Sequence, residues 1–223
     1  MLKIQSACLF GLLLFVGWAG AQEPAGQTAH DVVRAASVKV MQAVEQAESY
    51  ADEDPERYYH EIQQILDPVV DFRGFARGVM GPYASSKRYR SLDEAGREQL
   101  RDQLDRFTEV MRSGLVRTYS KGLLAFGGSR IEVSSPSAEE AGASRATVEQ
   151  LIFSDQSQPY VVYYQMGRDQ SGEWKLRNMI VETVNLGEIY RSQFQAAARE
   201  HNGDLDSVID GWSLETAEQA LER

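Results

Sequence analysis

Near Gly127-Gly128 the spacing of apolar residues changes from helical to alternating, and this switch constrains the fold more than any figure of composition. Before it, four segments repeat apolar side chains every three or four residues. From Thr28 to Tyr50 the repeat is Val33, Val40, Val44 and Ala47. From Pro55 to Leu66 it is Tyr58, Ile62, Ile65 and Leu66, behind a proline suited to a first helical turn. Asp67-Pro68 breaks that helix, and Pro68 opens a third whose stripe of Val69, Phe72, Phe75, Ala76, Val79 and Met80 closes at Gly81-Pro82. Ser91 with Glu94 has the capping-box spacing and starts the longest helix, with Leu100, Leu104, Phe107, Met111, Leu115 and Thr118 on one face towards Tyr119.

After the glycine pair, four segments are rich in β-branched and aromatic residues: Ile131 to Val133, Ser144 to Phe153, Tyr160 to Met166 and Trp174 to Val184. Ser-Pro-Ser, Asp-Gln-Ser-Gln-Pro and Asp-Gln-Ser-Gly separate them, and such short connections predict an antiparallel meander. Helix returns over Leu186 to Glu200, with Ile189, Tyr190, Phe194 and Ala197 on one side, and again from Leu205 to Ile209. A run of helices followed by a run of strands predicts an α+β domain, with helices packed on one face of a curved antiparallel sheet of about four strands. In the third strand Tyr160, Val162, Tyr164 and Met166 point the same way, a wide apolar surface suited to a helix or a greasy ligand.

Residues 1–21 have the form of a secretory signal: Lys3, an uncharged apolar run from Cys8 to Trp18, and Ala19-Gly20-Ala21 before Gln22. The run is shorter than the ~20 residues that span a bilayer. Cleavage after Ala21 discards Cys8, the chain's one cysteine, so the expected mature protein has no disulfide, thiolate ligand or cysteine nucleophile. Losing Lys3 leaves 22 basic against 33 acidic residues, a net charge of −11. That balance argues against nucleic acid and against general adsorption to anionic bilayers. The expected division is a single domain over residues 22–210 and a polar, acidic extension over 211–223.

Catalytic patterns are missing. His30, His60 and His201 are scattered, with no second histidine at helical spacing, so no metal site is expected. The chain has no glycine-rich phosphate loop, no dinucleotide fingerprint and no nucleophile elbow. Glu149 and Glu182 lie on expected strands, where the ordinary reading is an outward, solvated face rather than a buried acid. Lys87, Arg88 and Arg90, with Tyr89 between, stand out in an acidic chain: a solvated loop on the plain reading, a headgroup or docking contact on the sharper one. Phe72, Phe75, Met80, Phe107, Met111, Tyr119, Phe153, Tyr163, Tyr164, Met166, Trp174 and Met179 each suit an ordinary core. As a set they are aromatic and methionine-rich, as an adaptable ligand cavity is.

Three segments carry a family resemblance: DPVVDFRGFARGVMGPY from Asp67, LVRTYSKGLL from Leu115, and WKLRNMIVETVNLGEIYRSQF from Trp174, followed by Gly203-Asp204-Leu205 ahead of a last short helix. In this order they resemble the MlaC family of periplasmic phospholipid-binding proteins, also called the toluene-tolerance auxiliary family. The resemblance implies a nuclear-transport-factor-like or cystatin-like fold around a deep apolar pocket that takes acyl chains and leaves the headgroup near solvent. It implies phospholipid as cargo rather than a cofactor, and a periplasmic monomer as carrier. Its implied partners are an outer-membrane lipoprotein–porin complex and the substrate-binding subunit of an inner-membrane ABC transporter. The pocket lining it implies here is Phe72, Phe75, Val79, Met80, Leu104, Phe107, Met111, Leu115, Tyr119, Val162, Tyr164, Met166, Trp174 and Ile180.

Two rival readings have distinct signatures. An isomerase- or hydratase-like enzyme needs Glu149 or Glu182 inside the cavity with a raised pKa. A periplasmic adaptor that recruits partners through Lys87 to Arg90 needs a core with no cavity.

Overall fold

The computed structural model describes residues 27–124, 129–137, 140, 142–153 and 158–214; the expected signal segment and Gly127-Gly128 lie outside them. Helix α1 (Ala29–Ala47) opens with a complete capping box: the Thr28 hydroxyl accepts from the Asp31 amide, and the Asp31 carboxylate accepts from the Thr28 amide, each at 3.1 Å. Helix α2 (Pro55–Leu66) has Asp54 as its cap and the proline in its first turn.

Helix α3 (Phe72–Met80) starts at Phe72 and not at Pro68. The preceding backbone is claimed by the sheet. Leu176 donates its amide to the Val69 carbonyl at 2.7 Å, and its carbonyl accepts from the Asp71 amide at 3.0 Å. Asp71 then caps the helix by accepting from the Gly74 amide at 2.9 Å. Gly81, at φ 55, ends α3 in a conformation that a Cβ would strain.

The Lys87–Arg90 cluster is not a loop but the body of a short helix, α4 (Ser86–Ser91). Ser91 closes that helix by donating its hydroxyl to the Arg88 carbonyl at 2.7 Å, so it does not cap the next one. Asp93 does, accepting from the Gly96 amide at 2.9 Å ahead of the 31-residue α5 (Glu94–Leu124).

The sheet has five strands rather than about four: β1 (Arg130–Val133), β2 (Arg145–Phe153), β3 (Tyr160–Arg168), β4 (Trp174–Val181) and β5 (Val184–Asn185). They follow one another in space in that order, every pair antiparallel. The extra strand arises because Glu182 turns to φ 55 and brings Val184 opposite Val181, dividing the single strand expected to Val184. Helices α6 (Leu186–Glu200) and α7 (Leu205–Asp210) follow, capped by Asn185 and Asp204.

A bulge decides which side chains of β4 face inward. Tyr164 lies opposite Met179 and Gln165 opposite Asn178, but Met166 lies opposite Leu176, which leaves Arg177 without a partner. Simple alternation would put Trp174 and Leu176 on the face of Ile180. The extra residue instead puts them on the face of Met179 and Val181, with Tyr164 and Val162, while Ile180 pairs with Tyr163 on the other side.

The helices cover the face that carries Val148 and Met166, and the buried apolar residues form three separate clusters. The first joins α3, α5, α6 and α7 around Met80, Phe107, Met111, Tyr190 and Phe194. In the second, α1, α2 and α5 meet at Val44, Ala47, Tyr58, Ile62 and Val116. In the third, the start of α1 rests on the sheet at Val32, Val33, Val148, Met166 and Trp174. Residues past 210 are not all extension: Trp212 stacks among Phe107 and Phe194, at 5.2 and 5.6 Å between ring centres, and Leu214 is buried. Gly114 is the residue that makes room for Leu214.

Candidate functional site

Between the inner sheet face and the helices, several apolar side chains are only half buried although they point away from bulk solvent. On the sheet these are Ile152, Tyr160, Tyr164, Leu176, Met179 and Val181; Phe75 of α3, Leu115 and Tyr119 of α5 and Ile189 of α6 are half buried too and pack with Met179 against the first cluster. Tyr164 is the most informative. The side chain is half buried, and desolvation pushes its pKa well above the ordinary tyrosine value. By contrast, Tyr58 is fully packed: burial raises its pKa to about 12, and its hydroxyl donates to the Ser120 carbonyl at 3.1 Å.

The expected pocket residues therefore divide. Val79, Met80, Phe107 and Met111 present 1% of their surface or none, and Phe107 packs at 4.9 Å between ring centres on Phe194. They are solid core, with no surface to offer a ligand. Phe72, Leu104, Val162, Met166 and Trp174 are also buried. Phe75, Leu115, Tyr119 and Tyr164 are the members of the set that keep surface inside, with the Tyr119 hydroxyl 3.1 Å from that of Tyr190. Ile180 lies on the outer face of the sheet.

Neither candidate acid is inside. Glu149 sits opposite Tyr163 on the outer face and hydrogen-bonds it, which raises that tyrosine's pKa. Glu182 is exposed in the β4–β5 turn and accepts from the Val161 amide at 2.7 Å. His30 is buried at the start of α1, 3.4 Å from Glu140, and His60 pairs with Gln64 one turn on. Among the described residues no group of acidic, histidine or cysteine side chains is placed to hold a metal, and no helix is long and apolar enough to cross a membrane.

Two surface clefts are found among the described residues. One, of about 600 Å³, lies between α1 and the edge strand β1 and is lined by Val38, Met41, Ile131 and Val133 with Arg34, Glu45 and Glu48 at its border. Val38 is 52% exposed there, the one large apolar side chain so open among the described residues. The other, of about 480 Å³, lies among α3, α4 and α5 and is rich in arginine; Leu104 is the one residue of the expected lining that reaches it.

The MlaC protein family matches residues 34–213, which is most of the chain. The chain belongs to the MlaC family. It is 30% identical over 207 residues to the toluene tolerance protein ttg2D of Pseudomonas putida, a match covering 93% of this chain and 90% of that protein. In three dimensions it resembles a phospholipid-binding protein of Ralstonia solanacearum solved in complex with a phospholipid, with a TM-score of 0.62 at 17% identity, over 82% of this chain and 98% of the other.

In this MlaC-family chain the residues missed by sequence reading are those the bulge and the tail bring in. Leu176 and Met179 join one inner surface only because Arg177 is extra, and strict alternation separates them. Val38, Met41, Ile131 and Val133 form a cleft by tertiary approach of α1 to β1, across nearly a hundred residues of chain. A lone exposed valine in a helix carries no pattern that would announce it.

Proposed function

We propose that this protein is a periplasmic phospholipid carrier that holds acyl chains between the inner face of the sheet and the helix layer. On this reading the walls are the half-buried Phe75, Leu115, Tyr119, Tyr164, Leu176, Met179 and Val181, and the cleft between α1 and β1 is the mouth. The observation that carries the reading is the run of half-buried apolar side chains, Tyr164, Leu176, Met179 and Val181, on the sheet face that the helices cover. Membership of the MlaC family and the phospholipid held by the Ralstonia protein of the same fold support a lipid as the occupant.

The energetics require enclosure. Exposing an acyl chain of roughly fifteen methylenes to water costs on the order of 12 kcal/mol at ~0.8 kcal/mol per CH₂. A water-soluble carrier has to supply an equivalent apolar surface, and the half-buried ring does so with side chains that already forgo full packing. The carrier works between an outer-membrane lipoprotein–porin complex and an inner-membrane ABC transporter, which together maintain outer-membrane lipid asymmetry. The chain has no phosphate-loop motif, so the energy for directional transport comes from the transporter.

Lipid extraction and native mass spectrometry of the purified protein test this directly. The expected result is co-purified phospholipid, restored from vesicles after delipidation. A protein that is uniformly lipid-free and accepts none from vesicles would overturn it.

A further inference from the structure

The cleft among α3, α4 and α5 has a chemistry that the carrier reading does not use. Four arginines border it: Arg73 and Arg77 from α3, Arg90 from α4 and Arg101 from α5, over a floor of buried Ala84, Leu100 and Leu104. Asp71 is the one carboxylate in the lining, and it is engaged by Arg177. Arg73 is engaged by Asp105. Among the described residues, none of Arg77, Arg90 and Arg101 has a carboxylate partner, as is true of several other arginines here; what sets these three apart is that they border one concavity.

The neighbourhood fixes the helix that carries Arg90 and the side chain of Arg101. Arg97 donates to the carbonyls of Tyr89 and Arg90, at 3.1 and 3.3 Å, tying α4 to α5. Arg101 donates to the Tyr89 hydroxyl at 3.2 Å. Like charges converge on one concavity in a chain that is acidic overall, and their mutual repulsion is relieved when an anion sits among them. Guanidinium forks match the paired oxygens of a phosphate.

We infer that this cleft binds a phosphate or phosphodiester group through Arg77, Arg90 and Arg101. It lies on the side of α3 opposite Phe72, Phe75 and Val79, so it is separate from the proposed acyl site and does not depend on it. Two sources carry the group. One is the headgroup of an anionic bilayer surface, which the exposed Lys87 and Arg88 on the same short helix would also meet; the other is a soluble phosphate ester.

The test uses the full mature chain at low ionic strength, titrated with inorganic phosphate and glycerol 3-phosphate by calorimetry, and sedimented with phosphatidylcholine vesicles with or without phosphatidylglycerol. Arg77→Gln and Arg101→Gln are each expected to weaken binding about tenfold, the loss of a charge-assisted hydrogen bond, while the exposed Arg145→Gln leaves it unchanged. Unaltered melting of these surface variants confirms that folding is intact. Arginine-dependent binding to phosphatidylglycerol vesicles assigns the headgroup as the source, and arginine-dependent binding of the soluble probes alone assigns a free phosphate ester. Absence of binding to every probe, or binding that the two variants leave unchanged, overturns the inference. Cargo extraction is read separately, so failure here and failure of the carrier reading are distinguishable.

Discussion

Met166 faces Leu176 across the β3–β4 ladder, one residue out of step with the Gln165–Asn178 pair beside it. The residue displaced, Arg177, reaches Asp71, and Asp71 is also the cap of α3. One bulge thus sets the inner face of β4 and fastens the helix that packs on it. Arg177→Ala is expected to destabilise the fold by about 1–2 kcal/mol, and Asp71→Ala by as much or more because it removes the cap as well. Urea unfolding measures both; an Arg177→Ala variant as stable as the parent would detach the bulge from the helix.

Core and wall separate by mutation. Phe107→Ala is expected to cost roughly 3–5 kcal/mol, since it empties a site that Phe194 and Trp212 close completely. Below its melting transition that variant still extracts with lipid. Leu115→Trp, which fills space at a half-buried wall position, is expected to reduce lipid occupancy with a smaller stability loss, about 1–3 kcal/mol at most. Quantified lipid per mole of folded protein decides between them, and equal occupancy in the Leu115 variant would remove it from the wall.

The tail makes a third prediction. Ending the chain after Asp210 removes Trp212 and Leu214 from the α3–α5–α6–α7 cluster, and a loss of at least about 3 kcal/mol is expected, whereas ending it after Leu214 is tolerated. Thermal melting of the two truncations gives the answer.

Acid should loosen α7. Hydrogen bonds from Gln103 and Arg106 hold the Asp206 carboxyl below the ordinary aspartate value, and the Ser207 hydroxyl does the same for Asp204. A lowered folded-state pKa stabilises above the unfolded value, near 3.9, and the contribution is lost as pH falls through the folded one. Unfolding midpoints are expected to drop below about pH 4, and Asp206→Asn to flatten that drop. A pH profile identical to the parent's would contradict the assignment.

At the alkaline end the sign reverses. Burial raises Tyr58 to about 12 and Tyr164 higher, so each favours the folded state up to the unfolded value near 10 and ceases to as pH passes its folded one. Near-ultraviolet titration is expected to show late-ionising tyrosines, and Tyr164→Phe to remove the latest. If that variant titrates like the parent, the Tyr164 hydroxyl is not enclosed.

The α+β order was legible because periodicity survives local detail: the helices and strands fall where the apolar repeat changes at the glycine pair. What escaped depends on events that alternation does not encode. Pro68 reads as a helix start, but the sheet takes the backbone beside it. Ser91 and Glu94 have the right spacing, yet Asp93 is nearer and wins the amide. Large apolar residues such as Phe107 and Tyr164 look alike in one dimension, and only packing shows that one is fully buried and the other half buried on the inner sheet face. Trp212 sat in a stretch polar enough to be set aside, although it closes the largest cluster.

Three apolar clusters that stay apart also mean that this domain does not hold itself together as one unit of cohesion. Opening can run along the seams between them, with the start of α1 lifting from the sheet while the α3–α5–α6–α7 cluster, stacked through Phe107, Phe194 and Trp212, remains closed. Exchange of backbone amides with solvent would then be graded, fastest where α1 meets β1.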